Sequence, residues 1–444
     1  MIMKTTHPVI SAFQTAARQV PAYKRILEEA GIDPDQVRNL EDFRNRVPVV
    51  DKKMTFGRFP VVQLCREGKM VHPAGLLTSS GHSGLFAFGI YHAASSADET
   101  ERVDDALDML LQVRRKTTLL INCLPMGVQV LTRACSLAQT SVRPDMVTAL
   151  VGRFGSHYEQ VILVGETAFI KHVLELGQTQ GIDWHSLLVH VIVGEEPLAE
   201  NARKYLETLL GCDINRPETG LIASSMGIAE VGLNLFFELP PLITLRRALH
   251  EDPRQRQVVF GNSGDILPML FTYDPSRIFI EVLEDRNLVI TTLDPKRALP
   301  LIRYRSGDVA AIMDADRLAR VIDAPDGNNT LGQLPVVALA GRGEAAWAGD
   351  IAVYPEQVKE GIYHDPLLAR LTTANFRLRS GTQKALLRIQ LAPGVAAEPN
   401  LPDRFAQALL SYVRAPLEVK CEPYETFSAG MTLDYERKFP YLEN

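Results

Sequence analysis

Three features are missing from this 444-residue chain, and each absence excludes a class of protein. None of its five cysteines belongs to a C-x-x-C pair, which argues against a zinc ribbon or a disulfide framework and favours a reducing compartment. No apolar run approaches the roughly 20 residues that span a bilayer, and the segment 1–8 has no apolar core of a signal peptide. We therefore expect a cytoplasmic protein without a membrane partner.

A strong charge of one sign is also missing. The formal net charge is −6 at pH 7, so the chain offers no global field for nucleic acid or anionic lipid. We expect no nucleic-acid partner, and any phosphate ligand must be held by a local site. The apolar share of 46% and the charged share of 23% are ordinary for a globular protein, and the length allows two or three domains.

Helical and strand-like segments alternate through the first half of the chain. Apolar residues recur at helical spacing over 7–46, and acids precede bases over 97–115, as the helix dipole favours. The predicted buried strands are 117–123, 160–164 and 187–193. The helices predicted with them are 127–139, 168–176 and 197–210. This alternation predicts an α/β fold in which helices cover a largely parallel sheet.

The pattern changes near residue 258. Short β-branched segments predict a β-rich, antiparallel portion at 258–260, 277–283 and 287–292. The Asp-, Asn- and Gly-rich stretch 316–335 predicts a loop. A compact α+β pattern follows, with helices at 355–363 and 401–413 and strands at 374–379, 384–391 and 417–422. We expect a large domain over 1–340 and a small mobile domain over 341–444.

A run of hydroxyls and glycines, Thr78-Ser79-Ser80-Gly81-His82-Ser83-Gly84, lies between two apolar segments. Glycines let successive backbone N–H groups turn toward one point, and hydroxyls add donors, so such a loop can hold polyphosphate oxygens. An ordinary hairpin turn is the alternative. The common nucleotide loops do not fit, because no Lys-Ser/Thr follows Gly84 and no helical pattern begins there.

Four further stretches carry polar residues beside apolar segments, and each has an ordinary structural alternative. Glycine and acids follow a buried strand at 191–197, where a capped helix start is the alternative. The stretch 224–230 could be a strand-to-helix turn. The stretch 301–308 could be an exposed hairpin tip, and 434–441 a solvated tail.

Taken in order, these stretches resemble the motifs of the adenylate-forming superfamily, and within it the phenylacetate-CoA ligase-like branch. That superfamily has a Ser-Ser-Gly-Thr-Thr-Gly phosphate loop, a Gly-Glu adenine strand, an aromatic-Gly-x-x-Glu motif, an Arg-Tyr-Arg-Thr-Gly-Asp motif, a Gly-Arg hinge and a late lysine. The matching places here are 79–84, 194–196, 226–230, 303–308, 341–342 and Lys438. The resemblance covers essentially the whole chain, and the match at 303–308 is the most specific.

The resemblance implies a set of nucleotide-binding residues. The phosphates of ATP would be held by Ser79, Ser80, Gly81, His82, Ser83 and Gly84. The adenine would be held by Gly194, Glu195, Glu196, Met226 and Gly227. Glu230 would hold Mg²⁺, Asp308 would accept hydrogen bonds from the ribose hydroxyls, and Arg305 would support phosphate or ribose. Lys438 would reach in from the small domain to the substrate carboxylate and the α-phosphate.

Several positions depart from the family pattern. His82 and Ser83 replace a threonine pair, Phe86-Ala87 replaces proline-lysine, and Met226 replaces the aromatic residue that packs on adenine. The hinge is assigned to Arg342 and Glu344, but no Arg-Gly pair follows, which puts the thioester half-reaction in doubt. An alternative alignment through Gly430 would place Met431 at the position of the late lysine.

The resemblance implies an enzyme that uses ATP and Mg²⁺ to adenylate an organic, aromatic carboxylic acid, and a pocket lined by Asn122, Met126, Gly127 and Ser224. CoA is the first expectation for the acceptor. A carrier protein, an amine or activation of nitrite stays open, as does a degenerate relative that binds nucleotide without catalysis. A homodimer is also left open. The basic residues Arg246, Arg247, Arg254 and Arg256 are interpreted as a solvated loop.

Overall fold

The computed structural model describes most of the chain. The described residues are 7–70, 73, 75–79, 84–91, 93–125, 127–260, 266–313, 318, 335–427 and 439–443, with 93–97 described by their backbone alone. The candidate residues Ser80, Gly81, His82, Ser83, Met126 and Lys438 lie outside this set.

Helices and strands alternate as an α/β fold requires. The helices are α1 Pro8–Gln19, α2 Pro21–Glu29, α3 Leu40–Arg46, α4 Val61–Leu64, α5 Ala93–Leu111, α6 Pro144–Phe154, α7 Thr167–Thr179, α8 Glu200–Leu210, α9 Pro240–Glu251, α10 Pro253–Phe260, α11 Pro355–Ile362, α12 Pro366–Arg370, α13 Leu401–Leu409 and α14 Tyr424–Phe427. The first ten strands are β1 Gly75–Thr78, β2 Phe88–Tyr91, β3 Thr118–Asn122, β4 Ser136–Gln139, β5 Gln160–Gly165, β6 Val189–Val193, β7 Ile222–Ile228, β8 Gly232–Phe237, β9 Met269–Tyr273 and β10 Ile278–Val282. The remaining strands are β11 Asn287–Thr292, β12 Tyr304–Met313, β13 Val336–Leu339, β14 Ala346–Ala348, β15 Ile351–Val353, β16 Thr372–Arg379, β17 Ala385–Leu391, β18 Leu417–Glu422 and β19 Leu442–Glu443.

An eleven-stranded sheet forms the centre of the larger part, in the order β10-β11-β12-β13-β9-β8-β7-β6-β5-β3-β4. The strands from β4 to β7 pair in parallel, and every pairing from β7–β8 to β11–β10 is antiparallel. β3, β5 and β6 are buried along their whole length, as expected for parallel strands with helices on both faces. The predicted α/β class with a β-rich second portion is therefore confirmed.

Two predicted elements are wrong. The region predicted as a helix over 127–139 contains no helix among its described residues and ends in strand β4, which pairs in parallel with β3. The segment Val258-Val259-Phe260 ends helix α10 instead of forming a strand, and Val259 packs in a cluster with Leu245 and Leu249 of α9. In both cases packing against neighbouring elements overrides the local propensity.

The N-terminal helices are bonded to the start of β12. The Tyr23 hydroxyl of α2 accepts a hydrogen bond from the Ile302 backbone N–H at 2.8 Å. Val50 forms a parallel bridge with Tyr304. The Val50 N–H donates to the Arg303 carbonyl at 3.0 Å, and the Val50 carbonyl accepts from the Arg305 N–H at 2.8 Å. These bonds place the segment that follows α3 beside the second half of the large sheet.

The C-terminal part forms its own four-stranded sheet, in the order β18-β17-β16-β19, with the β14–β15 hairpin beside it. α11 and α13 pack together, and the apolar residues of α13 that lie inside are Leu401, Phe405, Ala408 and Leu409. Among the described residues, no helix has the length and apolar character that crossing a bilayer requires.

One titratable group is buried within the parallel sheet. His190 of β6 is 3% exposed, and its Nε2 lies 3.2 Å from the Gln160 side-chain oxygen. Burial, with a smaller effect from Lys116, lowers the pKa of His190 to about 3. The folded protein therefore keeps this imidazole neutral at pH values where an exposed histidine is charged.

The low pKa of His190 predicts a loss of stability in mild acid. Between about pH 6.5 and pH 3 the unfolded chain binds a proton that the folded chain does not, so stability falls as the pH drops. Between pH 7 and pH 5, we expect His190 to account for about 2 kcal/mol of the lost unfolding free energy. Urea unfolding of the wild type and of His190→Gln at both pH values measures this. An equal loss in both proteins would contradict the prediction.

Candidate active site

The candidate site lies where β6 and β7 end and β12 begins. Parallel strands such as β6 direct their carboxyl ends to one edge, and open α/β sheets commonly bind ligands there. The segment that follows β6 carries Glu195 and Glu196, and the turn between β7 and β8 carries Glu230. Three stretches that lie between residues 195 and 313 are thereby brought to one region.

Ser79 closes the base of the Ser/Gly loop. Its backbone N–H donates to the Ala87 carbonyl at 2.9 Å, and its Oγ accepts from the Ala87 N–H at 3.0 Å. The same Oγ accepts a hydrogen bond from the Lys52 ammonium at 3.1 Å. Gly84, at the far side of the loop, has a φ of 75°, which glycine adopts without strain. The chain therefore brings a cation to the loop from the segment after α3.

Lys52 was not predicted as a site residue. Burial lowers the pKa of its ammonium group, Glu230 opposes this effect and Arg342 adds to it. These interactions place Lys52 in the same electrostatic environment as the candidate metal ligand and the candidate hinge. The sequence showed only a basic, irregular stretch over 48–59, with no local pattern that would indicate a contact with Ser79.

Glu230 is held in place from two sides. Its carboxylate accepts a hydrogen bond from the Tyr304 hydroxyl at 2.6 Å, and its backbone carbonyl accepts one from Arg297. Burial and the neighbouring carboxylate raise the pKa of Tyr304, so this hydroxyl remains a donor at neutral pH. Glu230 is 5% exposed, and its charge opposes the lowering of the Lys52 pKa.

The two arginines that flank Tyr304 have different surroundings. Arg303 is buried, and it pairs with Glu281 at 3.1 Å and donates to the carbonyl of Arg44. Arg305 is half-buried, and its Nη2 lies 3.3 Å from Asp285. The Arg305 Nε is buried and has no hydrogen-bond partner among the described residues. Arg303 therefore holds the fold together, and Arg305 is the arginine that is available to a ligand.

Asp308 lies beside the candidate hinge. It is 8% exposed, and its backbone N–H donates to the Ser306 hydroxyl at 3.1 Å. The backbone N–H of the next residue, Val309, donates to the Gly341 carbonyl at 2.8 Å. This bond places the turn that contains Arg342 beside β12. Both Arg342 and Glu344 are exposed to solvent.

Glu196 is engaged by the C-terminal part of the chain. Its carboxylate pairs with Lys359 of α11 at 2.5 Å and accepts from the Tyr441 hydroxyl at 3.0 Å. Burial opposes ionisation of Glu196, but Lys359 and Tyr441 outweigh it and hold its pKa below the usual range. Glu195 has a φ of 72°, and Gly194 approaches the Leu124 side chain. In this conformation Glu196 contacts the C-terminal part.

The candidate substrate pocket has a rigid wall. The amide of Asn122 is buried and donates to the Val128 carbonyl at 2.7 Å and to Gln139, which fixes the turn that contains Gly127. Ser224 is 2% exposed, and its hydroxyl has no hydrogen-bond partner among the described residues. Asn122 is therefore bonded to its own surroundings, whereas the Ser224 hydroxyl has no partner among the described residues.

The remaining predicted nucleotide residues lie on β7. Met226 is half-buried and packs against the main hydrophobic cluster. Gly227 is exposed, and a Cβ atom there would lie 3.0 Å from the Gly232 carbonyl oxygen, so the β7–β8 hairpin favours glycine.

The interpretation of Arg246 and Arg247 as parts of a solvated loop is wrong. Both lie on α9, Arg246 is 2% exposed, and both pair with the buried carboxylate of Glu200. Glu200 also pairs with Arg203, and Arg203 pairs with Glu238. Arg246 and Arg247 therefore belong to a buried ion network in the core, whereas Arg254 of α10 is exposed as expected.

Solved structures similar to this chain include CoA ligases. The 2-hydroxyisobutyryl-CoA ligase in the postadenylation state, in complex with 2-HIB-AMP, matches with a TM-score of 0.68 at 15% identity, over 98% of this chain and 88% of that one. The same ligase with 2-HIB-AMP and CoA in the thioesterification state matches with a TM-score of 0.55 at 15% identity, over the same shares. An anthranilate CoA ligase in complex with anthranoyl-AMP matches with a TM-score of 0.52 at 13% identity, over 82% and 65%.

The postadenylation structure of the 2-hydroxyisobutyryl-CoA ligase has a higher TM-score against this chain than its thioesterification structure, although both matches cover the same fractions of the two chains. No protein-family model matches the sequence, and no curated protein matches it either.

Proposed function

Because the chain has the fold of the adenylate-forming CoA ligases, we propose that it is an AMP-forming ligase. In the reaction, ATP joins a carboxylic acid to AMP, pyrophosphate leaves, and the acyl group then passes to a thiol. The single observation that carries the proposal is the convergence of Lys52, Ser79 and Glu230 next to β12, which bears Asp308.

Adenylation solves a specific chemical problem. A carboxylate is a poor electrophile at neutral pH, and its oxygen must attack the α-phosphorus of ATP in line with the departing pyrophosphate. Positioning and charge stabilisation supply most of the catalysis in such a displacement. Ser79 and the backbone of its loop would hold the departing phosphates, with the Lys52 ammonium beside them.

The carboxylate of Glu230 fits a hard divalent cation. Mg²⁺ prefers oxygen ligands and is commonly bound by one or two carboxylates together with substrate phosphates. One oxygen of Glu230 accepts from Tyr304, which fixes the direction of the group. When bound, Mg²⁺ would supply neutralisation of phosphate charge, and Tyr304 would orient the carboxylate that holds it.

Asp308 and Arg305 would bind the remaining parts of the nucleotide. A buried carboxylate such as Asp308 can accept hydrogen bonds from both ribose hydroxyls, and bonds of that type contribute about 1.5–3 kcal/mol each. The unpartnered Nε of Arg305 supports a contact with phosphate or ribose. Lys438 would bring a second cation to the substrate carboxylate and the α-phosphate.

We also propose that 341–444 is a small domain that rotates against 1–340 between the two half-reactions. The contacts that hold it in the present conformation are partly apolar, such as the ring contact between Tyr205 and Tyr363, and partly polar. The Glu360 carboxylate of α11 accepts from the backbone N–H groups of Glu200 and Asn201 at 2.8 and 2.9 Å, and Lys359 pairs with Glu196. Contacts of this type can be exchanged for water, so rotation is feasible with Arg342 and Glu344 as the hinge.

The acceptor of the acyl group is the less defined half of the proposal. CoA is the acceptor we favour. The segment Gly343–Asp350 carries no Arg-Gly pair, and this observation favours testing a carrier protein or an amine as the second candidate. Analysis of products with and without CoA separates these cases, because rapid formation of an acyl-CoA would select the thiol.

The proposal predicts pyrophosphate release from ATP in the presence of an organic acid, preferably an aromatic one. Asp308→Ala should lower kcat/KM for ATP by about 100-fold, because two charge-assisted hydrogen bonds to the ribose are lost. Pyrophosphate release across a panel of acids measures both expectations.

Asp403→Ala, which removes an exposed carboxylate on α13, is the matched control and should change this value little. Lys438→Ala tests the assignment of the late lysine in the same assay. Full activity in Asp308→Ala would reject the ribose role. No pyrophosphate release with any acid would reject the proposed function itself.

A further inference from the structure

A small enclosed cavity lies on the far side of the turn that carries Glu230. Its walls come from β2, α5, the start of β10 and the end of β11, and its volume is about 30 Å³. A cavity of that size has room for one water-sized group. The polar side chains that line it are Tyr91, Glu99, Arg102, Arg277, Asp294 and Arg297.

Two buried polar atoms at this cavity have no hydrogen-bond partner among the described residues. They are the Tyr91 hydroxyl and the Oε1 atom of Glu99, which is 9% exposed. Leaving a buried polar atom unpaired costs about 1–3 kcal/mol, so such atoms usually mark a ligand or an ordered water. Burial raises the pKa of Tyr91, so its hydroxyl stays protonated and can donate.

Two of the three arginines of the cavity are committed to protein partners by hydrogen bonds, and the third, Arg102, lies 3.9 Å from Glu99. The Arg277 Nη2 pairs with the other oxygen of Glu99 at 2.6 Å. Arg297 donates through Nε to the Leu299 carbonyl at 2.8 Å and through Nη2 to the Glu230 carbonyl. The buried atoms of the cavity that have no partner among the described residues are therefore one acceptor oxygen on Glu99 and the hydroxyl of Tyr91.

The cavity adjoins the candidate active site through two contacts. Arg297 bonds the backbone of Glu230, the residue that would hold Mg²⁺. β2 follows the Ser/Gly loop and lies so close to the β7–β8 turn that a Cβ atom on Gly89 would be 2.2 Å from the Ala229 carbonyl oxygen. Tyr91 is two residues further along this strand, and Glu230 acts on its ionisation.

We propose that this cavity binds a hydroxyl group of the carboxylic acid substrate, so that the enzyme prefers hydroxy acids. The proposal rests on the proposed function. A hydroxyl can donate to the free oxygen of Glu99 and accept from Tyr91 at the same time, which satisfies both unpaired atoms. A second carboxylate on the substrate could not donate a hydrogen bond to Glu99. An ammonium group on the substrate is disfavoured because the cavity is lined by three arginines and only two carboxylates.

The test compares pairs of acids that differ by one hydroxyl group, such as benzoate with its 3- and 4-hydroxy forms and phenylacetate with its 4-hydroxy form. In the wild type, we expect at least one hydroxy acid to exceed its parent in kcat/KM for pyrophosphate release by about ten-fold. Tyr91→Phe and Glu99→Gln should each reduce that ratio several-fold. Tyr158→Phe, which changes a half-buried tyrosine outside the cavity, should leave the ratio unchanged.

The outcomes separate this inference from the function on which it rests. The subsite is supported if Tyr91→Phe loses the preference for the hydroxy acid over its parent acid and still unfolds at the wild-type temperature. The subsite would be overturned if the wild type were equally active on each hydroxy acid and its parent acid. It would also be overturned if both cavity variants kept the wild-type preference for the hydroxy acid. Either result would leave the proposed adenylation intact. If no acid releases pyrophosphate, the proposed function fails and the subsite fails with it.

Discussion

Replacing Lys52 with methionine is expected to lower the rate of pyrophosphate release by about 100- to 1000-fold, the usual effect of removing one preorganised donor at a developing charge. The ammonium group donates to Ser79 at the base of the phosphate loop, and Glu230 acts on it from the other side. Methionine keeps most of the side-chain volume but removes the charge and the donors. The loss should therefore appear in kcat more than in the stability of the protein.

The adjacent lysine offers a matched control. Lys53 is exposed and follows Lys52 directly, so Lys53→Met removes the same charge from the same segment. We expect this variant to keep nearly the wild-type rate. Single-turnover measurement of acyl-AMP formation, with thermal unfolding in parallel, distinguishes a catalytic loss from a folding defect. Equal rates for Lys52→Met and the wild type would remove Lys52 from the active site.

Replacing Arg203 with methionine is expected to lower the free energy of unfolding by about 3–5 kcal/mol, because breaking a buried ion pair leaves an uncompensated charge. Arg203 is fully buried on α8, donates twice to Glu238 at 2.8 and 3.0 Å, and also bonds the Ile222 carbonyl. Without Arg203, the Glu238 carboxylate keeps the hydrogen bond that it accepts from the Ser224 N–H.

The neighbouring residue again provides the control. Lys204 pairs with Glu251 on the surface, and both side chains are more than a third exposed. An exposed pair contributes only about 0–1 kcal/mol, so Lys204→Met should have a small effect. Urea unfolding of the three proteins measures the difference. If Arg203→Met and Lys204→Met were equally stable, the buried network would not be an important stabilising element.

The parallel strands were predictable because their local pattern and their environment agree. β3, β5 and β6 are continuous apolar runs, and burial on both faces requires that composition. The strand Leu417–Glu422 was predicted with its observed bounds. By contrast, Val258-Val259-Phe260 has a strand-like composition but completes helix α10 against α9, and this contact is not encoded locally.

The candidate site was predictable where a motif is contiguous and unpredictable where it depends on a distant segment. Glu230, Asp308 and Arg305 lie within short motifs, and the fold brings their elements together. The contact from Lys52 to Ser79 spans 27 positions and has no periodic signal. The different surroundings of Arg303 and Arg305 depend on Glu281 and Asp285, which come from neighbouring structure and not from the motif itself.

The N-terminal helices are bonded to the strand that borders the candidate active site. Tyr23 bonds the backbone of Ile302, Arg303 bonds the carbonyl of Arg44, and Val50 bridges Tyr304, the residue that orients Glu230. Proteolytic trimming past α3 would therefore remove the scaffold of both Lys52 and Glu230. These bonds begin at Tyr23, so a chain shortened at this end keeps all of them only if α2 and α3 remain.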